Sequence, residues 1–307
     1  MESSMNFTLG LTQGVQWPWP IAVYLFLAGI SGGAVAIAMV MNLYKGRTVS
    51  SPLEKAASLI GFIAICLGMV CLVADLTNPL YFWRILVFYN PTSVMSIGVM
   101  ALLVYIPLTF ILVLVAFSDK IKGLPLFGPV GAWFAARRTG LSWVALLFAV
   151  TICAYTGFLI SALVRYPLIN TAVLPALFVA SGLSAGAAGS KLLAVGCFGD
   201  DMHSGDMHVL HNAEWPIMAA EALCIFMIAM AMVLGNAGCQ MAAAAFVQGT
   251  WATVFWIGVV GVGFAMPVLL GFMRQSAGTF LLSGLCSVAG MMCLRLFILY
   301  AGQMYTF

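Results

Sequence analysis

The sequence predicts an all-α integral membrane protein of eight transmembrane helices, and three observations predict it. Of 307 residues, 64% are hydrophobic and only 7% carry a charge, whereas an ordinary soluble domain is about a quarter charged. Mean hydropathy is +1.11. Apolar runs long enough to cross a bilayer, about 20 residues each, lie at roughly 19–43, 57–75, 93–117, 140–164, 172–197, 213–235, 249–272 and 278–301. So few charges cannot surround a soluble core, which excludes a soluble catalytic domain and a nucleic-acid-binding surface.

Each span has its own boundary signals. Trp17-Pro-Trp-Pro20 enters the first, and Lys45, Gly46 and Arg47 leave it, as expected of interfacial aromatics, a helix-ending glycine and snorkelling cations. Residues 1–16 hold no Lys or Arg and no small-residue cleavage site after a short apolar core, so a removable signal peptide is not expected. An even number of spans puts both termini on one side. Nine Lys and Arg residues (45, 47, 55, 120, 122, 137, 138, 191 and 274) fall at the other side, and three, Arg84, Arg165 and Arg295, fall at or near the side of the termini. Positive loops stay in the cytoplasm, so both termini and the connections 76–92, 165–171 and 236–248 are expected in the periplasm of a bacterial inner membrane.

The 76–92 connection is aromatic but broken by prolines, and it reads as an interfacial helix with Trp83 and Arg84 at headgroup depth; a plain aromatic belt is the alternative. An internal repeat is visible as well. Leu25-Phe-Leu-Ala-Gly-Ile-Ser-Gly-Gly-Ala34 in the first span matches Leu177-Phe-Val-Ala-Ser-Gly-Leu-Ser-Ala-Gly-Ala187 in the fifth, with one inserted residue. Four spans separate the copies, so the repeat is parallel and predicts two four-helix bundles, residues 1–164 and 165–307. Close helix packing alone would also explain the glycines.

Eight cysteines are present, none in the CxxC spacing of iron–sulfur or zinc ligation, so no cluster is expected in this chain, and the histidine- and aspartate-bearing loop before the sixth span is expected to be a solvated connection rather than a metal site. Most of these cysteines lie in apolar runs, where the residue packs as a small hydrophobe. All three histidines, His203, His208 and His211, fall in the loop before the sixth span with Asp200, Asp201 and Asp206, so no span offers the paired axial ligands of a b-type haem.

Polar residues in hydrocarbon are costly and therefore candidates for function. Tyr24 lies about 10 Å below the outer surface at 1.5 Å per residue. Asp75 ends the second span, and Tyr155 and Thr156 sit in the outer half of the fourth. With Trp17, Arg84 and Arg165 above them, these four could wall a pocket for a quinone ring and its tail. A quinol loses two protons with its two electrons, and Asp75 and Tyr155 are the candidates to handle them. The plainer alternatives are an Asp75–Arg84 ion pair and satisfied core tyrosines. An inner group, Lys191, Glu214 and Glu221, reads as a proton path; Glu221 lies about 10 Å deeper than Glu214 and is expected to pair with Lys191, for structural reasons or for proton relay.

Several motifs in order across the chain carry a resemblance. Trp17-Pro-Trp-Pro20, Gly29-Ile-Ser-Gly-Gly33, Asp75-x3-Pro79-x2-Phe82-Trp83-Arg84, Asn90-Pro91-Thr-Ser93-x2-Ser96-x-Gly98, Tyr155-Thr156-Gly157 and Pro175-x2-Phe178-x2-Ser181-Gly182 resemble the NrfD-like family of polysulfide reductase membrane subunits. The resemblance implies a quinol-interacting subunit of an anaerobic respiratory oxidoreductase that exchanges electrons with menaquinol or ubiquinol near the periplasmic face. It implies no haem or cluster in the chain. The partners it implies are a periplasmic ferredoxin-like subunit with four [4Fe–4S] clusters and a catalytic subunit, a molybdopterin reductase or a multihaem cytochrome. Tyr24 stands where some relatives place a histidine, and Tyr155 matches the family's fourth-span tyrosine. A proton-translocating or transporter-like module and a passive anchor without a quinone site are the competing readings.

Overall fold

A computed structural model describes residues 17–305 except 48, 77–78, 89, 122, 124, 126 and 274–275. The N-terminal segment in which no signal peptide is expected, together with Lys122 and Arg274 of the charge asymmetry, lies outside the described residues. Eight helices are long and apolar enough to cross a membrane: α1 (Trp19–Lys45), α2 (Pro52–Ala74), α3 (Val94–Ala116), α4 (Arg138–Ser161), α5 (Leu174–Phe198), α6 (Gly205–Leu234), α7 (Gly249–Phe272) and α8 (Ala277–Ala301). The chain is a multi-pass membrane protein, all-helical among the described residues.

The boundaries follow from capping chemistry. Pro20 falls in the first turn of α1, where its missing N–H is no loss, and Gly46 ends the helix with φ 56°, its N–H bonded to the Asn42 carbonyl. Ser51 caps α2 by accepting from the Glu54 N–H at 3.2 Å, and Ser204 caps α6 by accepting from Met207 N–H at 3.4 Å. These two caps correct the predicted starts: α2 takes in Glu54 and Lys55, and α6 begins at Gly205 rather than near 213. His208 and His211 therefore lie on the first turns of α6, and only His203 of the three is in the loop. The 76–92 connection is likewise no continuous interfacial helix. It is one 3₁₀ turn, Pro79–Tyr81, and one α turn, Arg84–Val87.

Two features had no signal in the pattern of apolar residues. Val254–Ala265 of α7 and Phe297–Ala301 of α8 are π-helical, a rare departure from the α-helix that is frequent at functional sites. The connection from α4 to α5 also turns inward, burying Tyr166, Leu168 and Ile169.

The first helix is the axis of the bundle. Its most apolar window is 83% buried, against 17% for α6 and 22% for α7. It packs on α2, α4, α5 and α8, while α5 also meets α2, α4, α6 and α8, and α7 lies against α8. The two glycine-rich stretches meet at the α1–α5 crossing. A Cβ on Gly33 would stand 1.8 Å from the Gly182 carbonyl oxygen, and one on Gly186 would stand 2.2 Å from the Ala34 nitrogen. Only hydrogen at these positions lets the backbones approach so closely.

The start of α1 and the end of α8 lie at one face. The Trp17 N–H donates to Gln303 Oε1 at 3.0 Å, and Gln303 Nε2 donates to the Trp17 carbonyl at 3.3 Å. At the opposite face Asp206 on α6 accepts from Lys45 and from Arg47, whose Nη1 lies 2.6 Å from Oδ2. Glu54 on α2 pairs with Arg138 on α4, and both are buried. Removing one partner of a buried pair strands the other charge. Glu54→Ala is accordingly expected to lower stability by about 3 kcal/mol, read as a lower Tm of the detergent-purified protein; an unchanged Tm would show that the pair is not holding α2 to α4.

Candidate functional site at the terminal face

Tyr24 is five residues inside the start of α1 and Tyr155 six residues from the end of α4. At about 1.5 Å per residue both phenols lie some 8 to 9 Å below the terminal face. The Tyr24 ring is fully buried, and its hydroxyl has no hydrogen-bond partner among the described residues. The two phenols are close enough to interact electrostatically. Tyr155 owes its position to Gly98 on α3, four residues into that helix and so in the same layer. A Cβ there would fall 1.7 Å from Tyr155 Cζ and 2.2 Å from its hydroxyl oxygen, so the ring occupies the space that a side chain at 98 would take. Thr156 is buried as well, but its hydroxyl donates to the Cys153 carbonyl at 2.7 Å within α4. That donor is committed to the helix, which leaves Thr156 an acceptor.

The residues above this layer are arranged differently from the expectation of a shared ceiling. Asp75 is the C-terminal cap of α2, half-buried, and withdrawal from solvent pushes its carboxyl above the usual aspartate range. Arg84 does not pair with it among the described residues. The Arg84 guanidinium instead lies 4.4 Å from the centroid of the Tyr81 ring and 5.9 Å from that of Trp83, a cation–π arrangement on an exposed segment. Arg165 is exposed on the α4–α5 connection. Trp17 is held by its backbone to Gln303 and packs against the core. Tyr24, Tyr155 and Thr156 therefore form one buried layer, with Asp75 and Trp17 at its upper rim and Arg84 and Arg165 outside it.

At the opposite face the ion pairs correct the sequence reading. Lys191 pairs with Glu214 and not with Glu221, and His211 Nδ1 lies 3.4 Å from the same Glu214 carboxylate. The physical reason is depth: Glu214 sits two turns nearer the surface than Glu221, level with the Lys191 head. The group faces a cavity of about 300 Å³ among α5, α6, α7 and α8, whose lining includes His203, His208 and Trp215. Glu221 is buried and opens instead onto a second, smaller space.

Sequence reasoning missed two residues. Gly98 was quoted only as part of a motif, and nothing in one sequence tells a glycine that seats a ring from one that packs a helix. Arg295 was assigned to the outer edge of the last span, yet it is fully buried, with Nη2 donating to Ser181 Oγ at 2.9 Å. An ionisable side chain six residues inside an apolar helix was the available signal.

Comparison with known proteins adds the following. The family described as "Polysulphide reductase, NrfD" matches residues 8–306. The C chain of the polysulfide reductase of Wolinella succinogenes is 40% identical over 303 residues, covering 95% of both sequences. Protein NrfD of Escherichia coli K12 is 35% identical over 306 residues, covering 95% of this chain and 96% of its own. The C subunit of the selenate reductase of Mesobacillus selenatarsenatis is 23% identical, with 93% of this chain and 73% of that protein aligned.

Proposed function

The chain belongs to the polysulphide reductase NrfD family, and on that premise we propose that it is the quinol-exchanging membrane subunit of an anaerobic respiratory reductase. Relatives named as components of polysulfide and selenate reductases support the coarser part of this reading, a membrane subunit that works with a catalytic partner. The finer part rests on the buried layer at the terminal face, and one observation carries it: the Tyr24 hydroxyl is sealed in the bundle without a partner, beside Tyr155. A buried hydroxyl left unpaired costs free energy, and an acceptor such as a quinone oxygen removes that cost.

The residues present fit a quinone. Tyr24 and Tyr155 offer hydroxyl donors and Thr156 an acceptor, and Gly98 seats the Tyr155 ring against α3 so that its hydroxyl stays in this layer. Menaquinone or ubiquinone would supply the two-electron chemistry. Tyr155 is placed to hold one ring oxygen by a hydrogen bond and to relay its proton, receiving it only as its own phenolic proton passes on toward Asp75. Asp75, with its carboxyl raised by burial, is the acceptor at the rim toward solvent. Trp17 covers the entrance, while Arg84 and Arg165 mark the headgroup level.

The same reading puts the terminal face in the periplasm of the bacterial inner membrane, since Lys45, Arg47, Lys55, Lys120, Arg137, Arg138 and Lys191 all serve the opposite face. A ferredoxin-like subunit with four [4Fe–4S] clusters would dock on the terminal face and pass electrons to a molybdopterin reductase or multihaem cytochrome. The meeting of the two glycine stretches supports a division into bundles of residues 1–164 and 165–307, with α1 and α5 as equivalent inner helices. The cavity at Lys191 and Glu214, with Glu221 beyond it, supports proton movement coupled to quinol oxidation.

A quinol analogue titrated by fluorescence quenching into membranes containing the assembled complex tests the assignment. Saturable binding that weakens about tenfold in Tyr155→Phe, the cost of one good hydrogen bond, is expected. Absence of saturable binding with the partners present would leave a passive anchor, and equal binding in both proteins would move the site away from Tyr155.

A further inference from the structure

Two charges in the middle of the bundle have no part in holding a quinone. Arg295 on α8 is fully buried, its guanidinium 3.5 Å from the centroid of the Phe178 ring, and its Nη2 is shared between the Phe178 carbonyl at 3.2 Å and Ser181 Oγ at 2.9 Å. Its Nε and Nη1 are buried with no partner among the described residues. Glu221 on α6 is 6% exposed and accepts no hydrogen bond among the described residues. It lines a cavity of about 10 Å³ with Ser184, Gly263, Ser287, Gly290 and Met291, the space of about one water molecule. Met291 is one turn before Arg295, and both lie against Gly29 of α1: a Cβ on that glycine would be 2.4 Å from Met291 Cε and 3.2 Å from Arg295 Nη2. The two charges act on each other electrostatically without touching.

A buried guanidinium with two nitrogens unused and a buried carboxylate with no donor are each costly alone. The space beside the carboxylate is polar, water-sized and within the field of the guanidinium. We infer that Glu221 and Arg295 form one charge pair acting across the Met291 turn of α8, with the water-sized space serving Glu221, and that this pair is the inner end of a polar passage from the opposite face. Ser184 and Ser287 line both the small cavity and the 300 Å³ cavity that holds Lys191 and Glu214, so the two spaces share their walls. No other charge competes for Glu221 among the described residues. Lys191 on α5 is committed to Glu214, α7 carries no ionisable side chain, and the titratable groups that act on the pair are thiols, Cys224 beside Glu221 on its own helix and Cys153 of α4 beside Arg295. A proton delivered by water from the opposite face converts the Glu221 carboxylate to the acid and leaves the guanidinium charged. This relay role rests on the proton-path reading of Lys191, Glu214 and Glu221; the charge pair does not.

A double-substitution cycle tests the pair, with Tm of the detergent-solubilised complex as readout. Arg295→Gln and Glu221→Gln are each expected to lower Tm by several degrees, and the double variant is expected to recover at least half of the larger loss. Losses that add in the double variant would overturn the pair. If the single variants do not accumulate, their abundance in membranes serves instead: a double variant more abundant than either supports the pair, and one no more abundant overturns it. The proton-to-electron ratio of the double variant separates the two readings. An unchanged ratio with recovered Tm leaves the pair standing and removes the proton path, while saturable quinol-analogue binding in the same sample shows whether the quinone site is intact.

Discussion

Gly98→Ala is expected to abolish most quinol turnover while leaving the protein in the membrane at its normal level. The added methyl carbon would lie 1.7 Å from Tyr155 Cζ, 1.9 Å from Cε2 and 2.2 Å from the hydroxyl oxygen, distances no pair of non-bonded atoms tolerates. The phenol must swing away, since the alternative is to separate α3 from α4, which are packed together. Displacing a catalytic group by about 1 Å costs on the order of 100-fold in rate, and this substitution demands more than that. Stability is affected less, because alanine is the better helix former by about 1 kcal/mol, which offsets part of the repacking. The measurement is quinol-dependent electron transfer per assembled complex, with Tyr155→Phe beside it. If the ring acts through its position, the double variant is no slower than Gly98→Ala alone, because a hydroxyl already displaced has nothing left to lose. Normal turnover in Gly98→Ala would remove Tyr155 from the reaction.

Much of this was legible in the sequence, for reasons that can be named. Eight spans follow from apolar length alone, because the bilayer fixes how many residues a helix needs to cross it. The layer of Tyr24, Tyr155 and Thr156 could be placed because depth is counted along a helix at a constant rise. What failed is what depends on neighbours across helices. Lys191 was matched to Glu221 because both are deep and opposite in charge, yet a flexible ammonium reaches the carboxylate nearer the surface, Glu214. Asp75 and Arg84 are close in sequence, but the turns at 79–81 and 84–87 carry the guanidinium onto Tyr81 instead. Arg295 counts with the charges at or near the side of the termini, six residues before α8 ends, yet it is fully buried; the inward-turning α4–α5 connection covers that end, with Ile169 against Gly302. Such covering leaves no trace in the periodicity of one helix.

The second large effect is expected at the α1–α5 crossing, where it should be structural rather than catalytic. Gly33→Ala places a carbon 1.8 Å from the carbonyl oxygen of Gly182 and 2.4 Å from its carbon, and Gly186→Ala places one 2.2 Å from Ala34 nitrogen. Both obstacles are backbone, so no rotamer change relieves the clash and the two helices must part. Overpacking against side chains costs about 1 to 3 kcal/mol; against backbone at the axis of the bundle the cost exceeds that range, comparable to the whole stability of many domains. The same stretch of α5 presents Phe178 and Ser181 to Arg295, so a shift of α5 also disturbs the acceptors that the guanidinium has among the described residues. Either variant is therefore expected to fall to background abundance in membranes, measured by immunoblot or by fluorescence-detected size exclusion. Gly196→Ala, on the same helix with nothing within 4 Å of the added carbon, is the control and should accumulate normally. Loss of turnover in proportion to abundance separates this class from Gly98→Ala, whose turnover falls while the protein remains. Normal accumulation of Gly33→Ala would mean that α1 and α5 do not meet as closely as their glycines allow.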